Sequence, residues 1–352
     1  MSGASQLTEY LARLASADEA ERSYAAEDLG YLNTSEGTLA LLDRLRREDS
    51  PVVRDAILQA LSRIDGDEAI AGTIPLFESE DPQLRNLAVS VLRLKGGRSI
   101  PFLKKAMLEG DHDTRKLALD ALSGMPAMGA EEIYAAALAD EDPNVRITAV
   151  ENLGKVRALE FREEIEGLLK DDAHPMLTAA CLEALAEIGD KHSLVVIAQR
   201  LPQLADLPDF FLNPCLKVIA AFGSAGEFPE VAALLAKRAQ AVWPAILNAL
   251  LAIQQRCLGE DAASLEMDEP LLADLRNLIE THNPAPCRYQ AARLLGFAAE
   301  RDEIAAFLVG CLTHPERLVR LGAAEALQSS ARPKLDSVLG DLELKKHEGD
   351  IR

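Results

Sequence analysis

Aromatic residues are scarce in this chain: Phe, Tyr and Trp make up 4% of its 352 residues, with a single Trp, although 48% of the chain is apolar. A core with so few rings is built from Ala, Leu, Ile and Val, a mixture that packs thin helices closely and favours an all-α class. Basic charge is also in deficit. Against 57 acidic residues stand 37 basic ones, a formal charge of −20. That field repels polyanions and anionic membrane surfaces, which argues against nucleic acid as a partner. Long hydrophobic runs are missing as well. No stretch reaches the roughly 18 apolar residues of a membrane span, and Met1 to Leu14 carries Glu9 and Arg13 where a signal peptide needs an unbroken apolar segment. The expectation is a soluble, cytoplasmic protein with no membrane partner.

Paired cysteines are lacking too. Cys181, Cys215, Cys257, Cys287 and Cys311 contain no C-x-x-C and mostly sit within apolar runs, so they read as buried thiols in a reducing compartment. There is no G-x-x-x-x-G-K-[ST], H-E-x-x-H or G-x-S-x-G motif, and no Cys has a His and an acid at an interpretable spacing. The expectation is a non-catalytic protein without a cofactor.

What the chain does contain is a repeat. Arg22, Arg54, Arg85, Arg115 and Arg146 follow one another at intervals of 32, 31, 30 and 31 residues, and the column returns at Arg288 and Arg320. Seven residues after each arginine comes a leucine: Leu29, Leu61, Leu92, Leu122, Leu153, Leu295 and Leu327, with Leu185 continuing the series where Thr178 replaces the arginine. The clearest unit runs from Asp140 to Gly154, a turn with Pro143 leading into a helix whose Val145, Ala149, Asn152 and Leu153 share one face. Gly154 reads as its stop. A second helix precedes each turn, so each repeat is a helical hairpin. One hairpin cannot bury its own apolar face, so stability must come from stacking.

The stretches Asp49-Ser-Pro-Val-Val-Arg54, Glu80-Asp-Pro-Gln-Leu-Arg85, Asp140-Glu-Asp-Pro-Asn-Val-Arg146 and His314-Pro-Glu-Arg-Leu-Val-Arg320 resemble the HEAT repeat, in the short-period form named for phycobilisome lyases. The resemblance implies an all-α solenoid, a superhelix of about ten hairpins over residues 1–340, followed by a charged tail at 341–352. It also implies that the turn carboxylate and the helix arginine form a polar ladder between repeats. Within that family, one enzyme class holds a di-iron centre with paired His-Glu dipeptides, but here His-Glu occurs once, at His347-Glu348. Another class repairs alkylated DNA through a basic, aromatic concave face, which this composition does not offer. Trp243 lies inside an apolar run and reads as core.

The period breaks twice, with insertions near 201–213 and 258–270. Insertions in a solenoid map to one face, often the working one. Phe210 and Phe211 fall in the first and are candidate contacts for a partner protein. In proteins that this chain resembles, the second helix of each hairpin lines the concave side. Its outward positions run from Ser23, Glu27, Asp55 and Gln59 to Leu216, Ala220, Ala245, Ala249, Tyr289, Arg293 and Leu321, a change from polar to apolar. The partner-binding candidates are therefore Leu216, Tyr289, Arg293 and Leu321, with Phe210 and Phe211. Recurring acids on the same face, among them Glu151 and Glu183, would draw in a basic partner, one presenting a helix or peptide.

His112, His174, His282 and His314 recur in or beside turns. Equivalent turns in a stack lie about 10 Å apart per repeat, too far to share one metal ion, so these read as turn residues. The functional expectation is a scaffold or adaptor that binds a partner protein through its concave surface. The alternative that the resemblance implies is a lyase-like or chaperone-like accessory subunit, acting on the attachment or positioning of a tetrapyrrole or other cofactor on a client, with Cys215 and Cys287 as the groove-adjacent thiols to consider.

Overall fold

The computed structural model describes residues 3–123, 125, 129–171, 174–259, 265–281 and 283–329. The tail at 341–352, His282, His347 and residues 260–264 of the second insertion lie outside them. The described residues form helices and connecting turns, without a strand among them. The chain divides into two compact units between Glu164 and Ile165.

In the first unit the hairpins are α1 (Gly3–Leu14) with α2 (Glu19–Leu32), α3 (Ser35–Leu45) with α4 (Pro51–Arg63), α5 (Asp67–Thr73) with α6 (Pro82–Lys95), α7 (Ile100–Glu109) with α8 (His112–Leu122), and α9 (Ala130–Ala137) with α10 (Pro143–Val156). The boundary falls in the first turn of α11 (Arg162–Asp171), which precedes α12 (Pro175–Ile188). The second unit continues with α13 (Lys191–Arg200) and α14 (Asp209–Phe222), then the short pair α15 (Phe228–Ala232) and α16 (Leu234–Lys237) with α17 (Trp243–Gly259). It ends with α18 (Glu269–Glu280) and α19 (Ala285–Leu295), then α20 (Asp302–Cys311) and α21 (Arg317–Ser329).

The starts of these helices are written in the sequence. Ser50, Asp81 and Asp142 each accept a backbone N–H of the following turn and are each followed by proline, whose missing N–H costs nothing at that position. Asp190 forms a capping box with Ser193. The expected stop at Gly154 is not where α10 ends. The helix runs on to Val156 and closes on Arg157 at φ +56°, whose N–H reaches the carbonyls of Leu153 and Gly154.

Second helices stack on second helices: α2 on α4, α4 on α6, α6 on α8 and α8 on α10 in the first unit, and α12, α14, α17, α19 and α21 in succession in the second. The leucine column is the seam of each stack, since Leu29, Leu61, Leu92, Leu122, Leu153, Leu185, Leu295 and Leu327 are all buried. A buried leucine contributes about 1.5–3 kcal/mol, so this column carries much of the cohesion between repeats. Close approach needs glycine at two steps. A Cβ on Gly30 would lie 2.8 Å from the Cα of Ala60, and one on Gly296 would lie 2.8 Å from the Cα of Ala326.

The arginine column is the polar ladder. Each arginine donates to a carbonyl at the turn of its own hairpin, Arg22 to Ser16 and Ala17, Arg54 to Glu48, Arg85 to Ser79, Arg115 to Gly110, Arg146 to Asp140 and Arg320 to His314, or, for Arg288, to Ile279 in the last turn of the preceding α18. Among the described residues, Arg22 also reaches Glu48 in the next turn, Arg54 reaches Asp81, Arg115 reaches Asp140 and Arg288 reaches Glu316.

Both insertions are tied down where they are described. In the first, Leu204 and Leu207 are buried, and Arg238 donates to the carbonyls of Leu204, Ala205 and Leu207. In the second, the fully buried Gln254 amide bonds both the N–H and the C=O of Leu265, at 3.2 and 3.0 Å.

Candidate partner-binding faces

In the second unit, α19 and α21 bring three of the expected residues onto one surface. The Tyr289 hydroxyl donates to Oε2 of Glu325 at 2.7 Å, Arg293 Nε lies 3.2 Å from the same oxygen, and the Arg293 guanidinium sits 5.7 Å from the Tyr289 ring centre. The bond to the Glu325 carboxylate, with burial adding to it, holds the Tyr289 phenol above its ordinary pKa. Gly322 makes the approach possible, because a Cβ there would meet the Tyr289 carbonyl at 2.7 Å. Leu321 stands on the same face at 44% exposure. Beside it opens a groove of about 530 Å³ lined by Gln255, Leu258, Arg293, Phe297, Glu325 and Gln328. Leu258, at 48% exposure, adds a second apolar contact that the sequence reading did not single out.

Leu216 does not belong to this surface. It is 1% exposed and forms part of the core of α14 with Leu212, Cys215 and Ile219. The leucine column resumes at Ile219, whose carbonyl accepts the Gly223 N–H as that of Leu185 accepts the Gly189 N–H, so the side chain of α14 that faces solvent is Lys217, which bonds Glu183 at 2.6 and 2.7 Å. Ala249 is buried as well, so the outward change from polar to apolar is smaller than the sequence implied. Phe210 and Phe211 lie in the first turn of α14, not in a loop. Their ring centres are 5.1 Å apart at 60°, Phe210 is exposed and Phe211 half-buried. Glu151 is exposed on α10 with Lys155 3.6 Å away.

The first unit carries contacts that the reading of outward positions passed over. Tyr24 and Tyr31, 61% and 72% exposed, share the solvent face of α2 with Glu27. The guanidinium of Arg63, from α4, lies 4.4 Å from the Tyr31 ring centre. Their signal was available as tyrosines seven residues apart on an otherwise polar face.

Three further features have chemical potential. The first insertion closes a cleft of about 640 Å³ whose walls include Leu194, Val195, Leu201, Ile219 and Phe222, with Cys215 at its edge. Glu166, Asp190 and His192 offer ligand atoms all within 4.8 Å of one another. Those atoms already bond within the unit: Glu166 accepts from Ser193 Oγ at 2.6 Å and lies 3.0 Å from His192 Nδ1, and Asp190 caps α13. The five cysteines are all buried and none forms a disulfide. Burial pushes the Cys215 thiol up to about 12 and raises Cys287 too, so neither is a groove-side thiolate as the accessory reading would require. His174 and His314 each accept a backbone N–H of their own turn, from Leu177 and Glu316.

A family model described as HEAT repeats matches residues 6–93 and 130–206. Its two segments fall on the hairpins whose arginine ladder and leucine seam are described above. Over those residues the chain is built of HEAT repeats. The solenoid fold is shared with a crystal structure of importin beta, at a TM-score of 0.60 and 13% sequence identity over 98% of this chain. The chain spans 55% of that HEAT-repeat protein's length. The uncharacterized phycocyanin operon protein Z of Pseudanabaena tenuis (strain PCC 7409) is 28% identical over 160 residues, 43% of this chain and 79% of that protein. Among the described residues no helix is long and apolar enough to cross a membrane.

Proposed function

We propose that this HEAT-repeat chain is a non-catalytic scaffold or adaptor that binds a partner protein on the outward faces of its second helices. The observation that carries the reading is the surface of α17, α19 and α21, where Leu258 and Leu321 are exposed beside the Tyr289, Arg293 and Glu325 cluster. Exposed apolar area framed by Tyr and Arg is the composition of a protein contact. Phe210 at the start of α14 extends the set of aromatic anchors in the same unit. Solenoid proteins bind partners along such helix faces.

A second reading is favoured by the similarity to a protein of a phycocyanin operon. In that reading the chain is an accessory subunit that helps position a cofactor on a client. The raised thiols weigh against covalent transfer through Cys215 or Cys287 and leave holding the client as its role.

Affinity capture of the tagged wild type and of Leu258→Glu/Leu321→Glu from native cells, with mass spectrometry and an absorbance scan, tests both. A colourless eluate with one stoichiometric partner, lost in the double variant, supports the scaffold. A pigmented eluate, or a client whose covalent modification requires this chain, supports the accessory role. A wild-type eluate with no partner contradicts both.

A further inference from the structure

Three of the chain's five tyrosines lie within its first 31 residues, in a protein with few aromatics. Two of them are already paired with arginine. Arg13 sits 6.0 Å from the Tyr10 ring centre, and Arg63 sits 4.4 Å from that of Tyr31. Arg63 has no carboxylate partner among the described residues, so the ring itself is what holds its guanidinium in place. A cation over an aromatic face gains from the ring's negative quadrupole.

Tyr24 is on the same face of α2 and 61% exposed, and among the described residues no arginine stacks on it. Glu27 lies one helical turn further on and is exposed, with no ion pair among the described residues. Asp55, at the outward position of α4, is likewise exposed and without an ion pair among the described residues. The face thus offers a free ring and two free carboxylates next to a ring where the protein displays the same interaction satisfied. The charge of −20 adds a long-range pull on a cationic partner.

We infer that the exposed face of α2 and α4 docks a basic, extended segment of a partner protein, with an arginine or lysine stacked on Tyr24 and paired with Glu27, and a second cation held by Asp55. The inference rests on the scaffold reading and names the chemistry of one partner. It is independent of the apolar surface of the second unit.

The probe is a fluorescein-labelled (Arg-Gly)6 peptide, its citrulline counterpart serving as the uncharged control, titrated by anisotropy against the full chain. The arginine peptide binds saturably and the citrulline peptide does not. Tyr24→Ala weakens binding about 3- to 30-fold, the range of one cation–π contact, Tyr24→Phe stays within about threefold because the ring remains, and Glu27→Gln weakens it too. Asp43→Asn removes an exposed acid on α3 that pairs with Arg47, and leaves binding unchanged.

Equal affinity for wild type and Tyr24→Ala, or equal loss in Asp43→Asn and Glu27→Gln, overturns the inference in favour of diffuse charge attraction. Absence of peptide binding overturns it as well. If the wild type then still captures a partner that Leu258→Glu/Leu321→Glu loses, the scaffold reading stands without it; if no partner is captured either, both fall.

Discussion

Arg22 and Glu48 form a two-point ion pair across the step from the first hairpin to the second, with Nε and Nη2 donating to the two carboxylate oxygens at 2.9 and 3.1 Å. Glu48 is 1% exposed and also accepts from Arg44 and from the backbone N–H of Ser50. Removing one partner of such a pair strands the other charge. Glu48→Gln is expected to cost about 3–5 kcal/mol, measured as the urea midpoint of the full chain. A loss below 1 kcal/mol would show that the ladder is ornamental to the stack.

The same group sets a pH dependence. Burial by itself raises the Glu48 pKa, but hydrogen bonds from Arg22, Ser50 and Arg44 outweigh it and bring the group from 4.5 down to about 2. A depressed carboxylate contributes stability above its unfolded pKa and loses it as pH falls through the folded one. Thermal melts of the wild type should therefore weaken between about pH 4.5 and 2, and the Glu48→Gln variant should show a shallower decline over that window.

Helix contact is limited by Gly30, Gly296 and Gly322. Gly30→Ala places a methyl 2.8 Å from the Ala60 Cα and should destabilise the first unit by about 1–3 kcal/mol. Gly97→Ala, with nothing within 4 Å of its Cβ, should change stability by no more than about 0.5 kcal/mol. Denaturant midpoints of the two variants separate close packing from helix propensity.

The repeat was legible because its two columns do structural work: the arginine reaches its own turn and the leucine fills the seam, so both recur wherever a hairpin stacks on the next. Tyr289, Arg293 and Leu321 were legible for the same reason, since α19 and α21 keep the regular phase. Leu216 was not. An insertion adds residues without declaring where the next helix resumes; here the column resumes at Ile219, which makes Lys217 outward and puts Leu216, about 100° round the helix from it, in the core. Phe210 and Phe211 were displaced by the same insertion, whose helix begins at Asp209. Tyr24 and Tyr31 escaped because the outward positions, Ser23 and Glu27, lie one and five residues after Arg22, whereas the exposed stripe of α2 also holds the residues two and nine after it. The cluster of Glu166, Asp190 and His192 joins α11 to the turn before α13, a contact between first helices that no column records.

The corrected phase has a direct consequence. Leu216→Ala should cost about 2–5 kcal/mol as a core truncation, while Leu321→Ala should leave stability within about 0.5 kcal/mol. Reversal of that order in urea denaturation would restore Leu216 to the surface.

Thiol chemistry supplies another check. With Cys215 raised to about 12 and Cys311 to about 11, and all five thiols buried, native protein at pH 7.5 should react with Ellman's reagent far more slowly than protein in denaturant, where five equivalents appear. Rapid native labelling of Cys215 or Cys287 would revive a covalent accessory role.

The most direct measurement is amide hydrogen exchange on the full chain with and without the partner captured from native cells. The account predicts slowed exchange concentrated in α17, α19 and α21, with the first helices α13, α15 and α18 unchanged. Protection confined to those first helices, or none in the second unit, would contradict binding on the outward faces of the second helices.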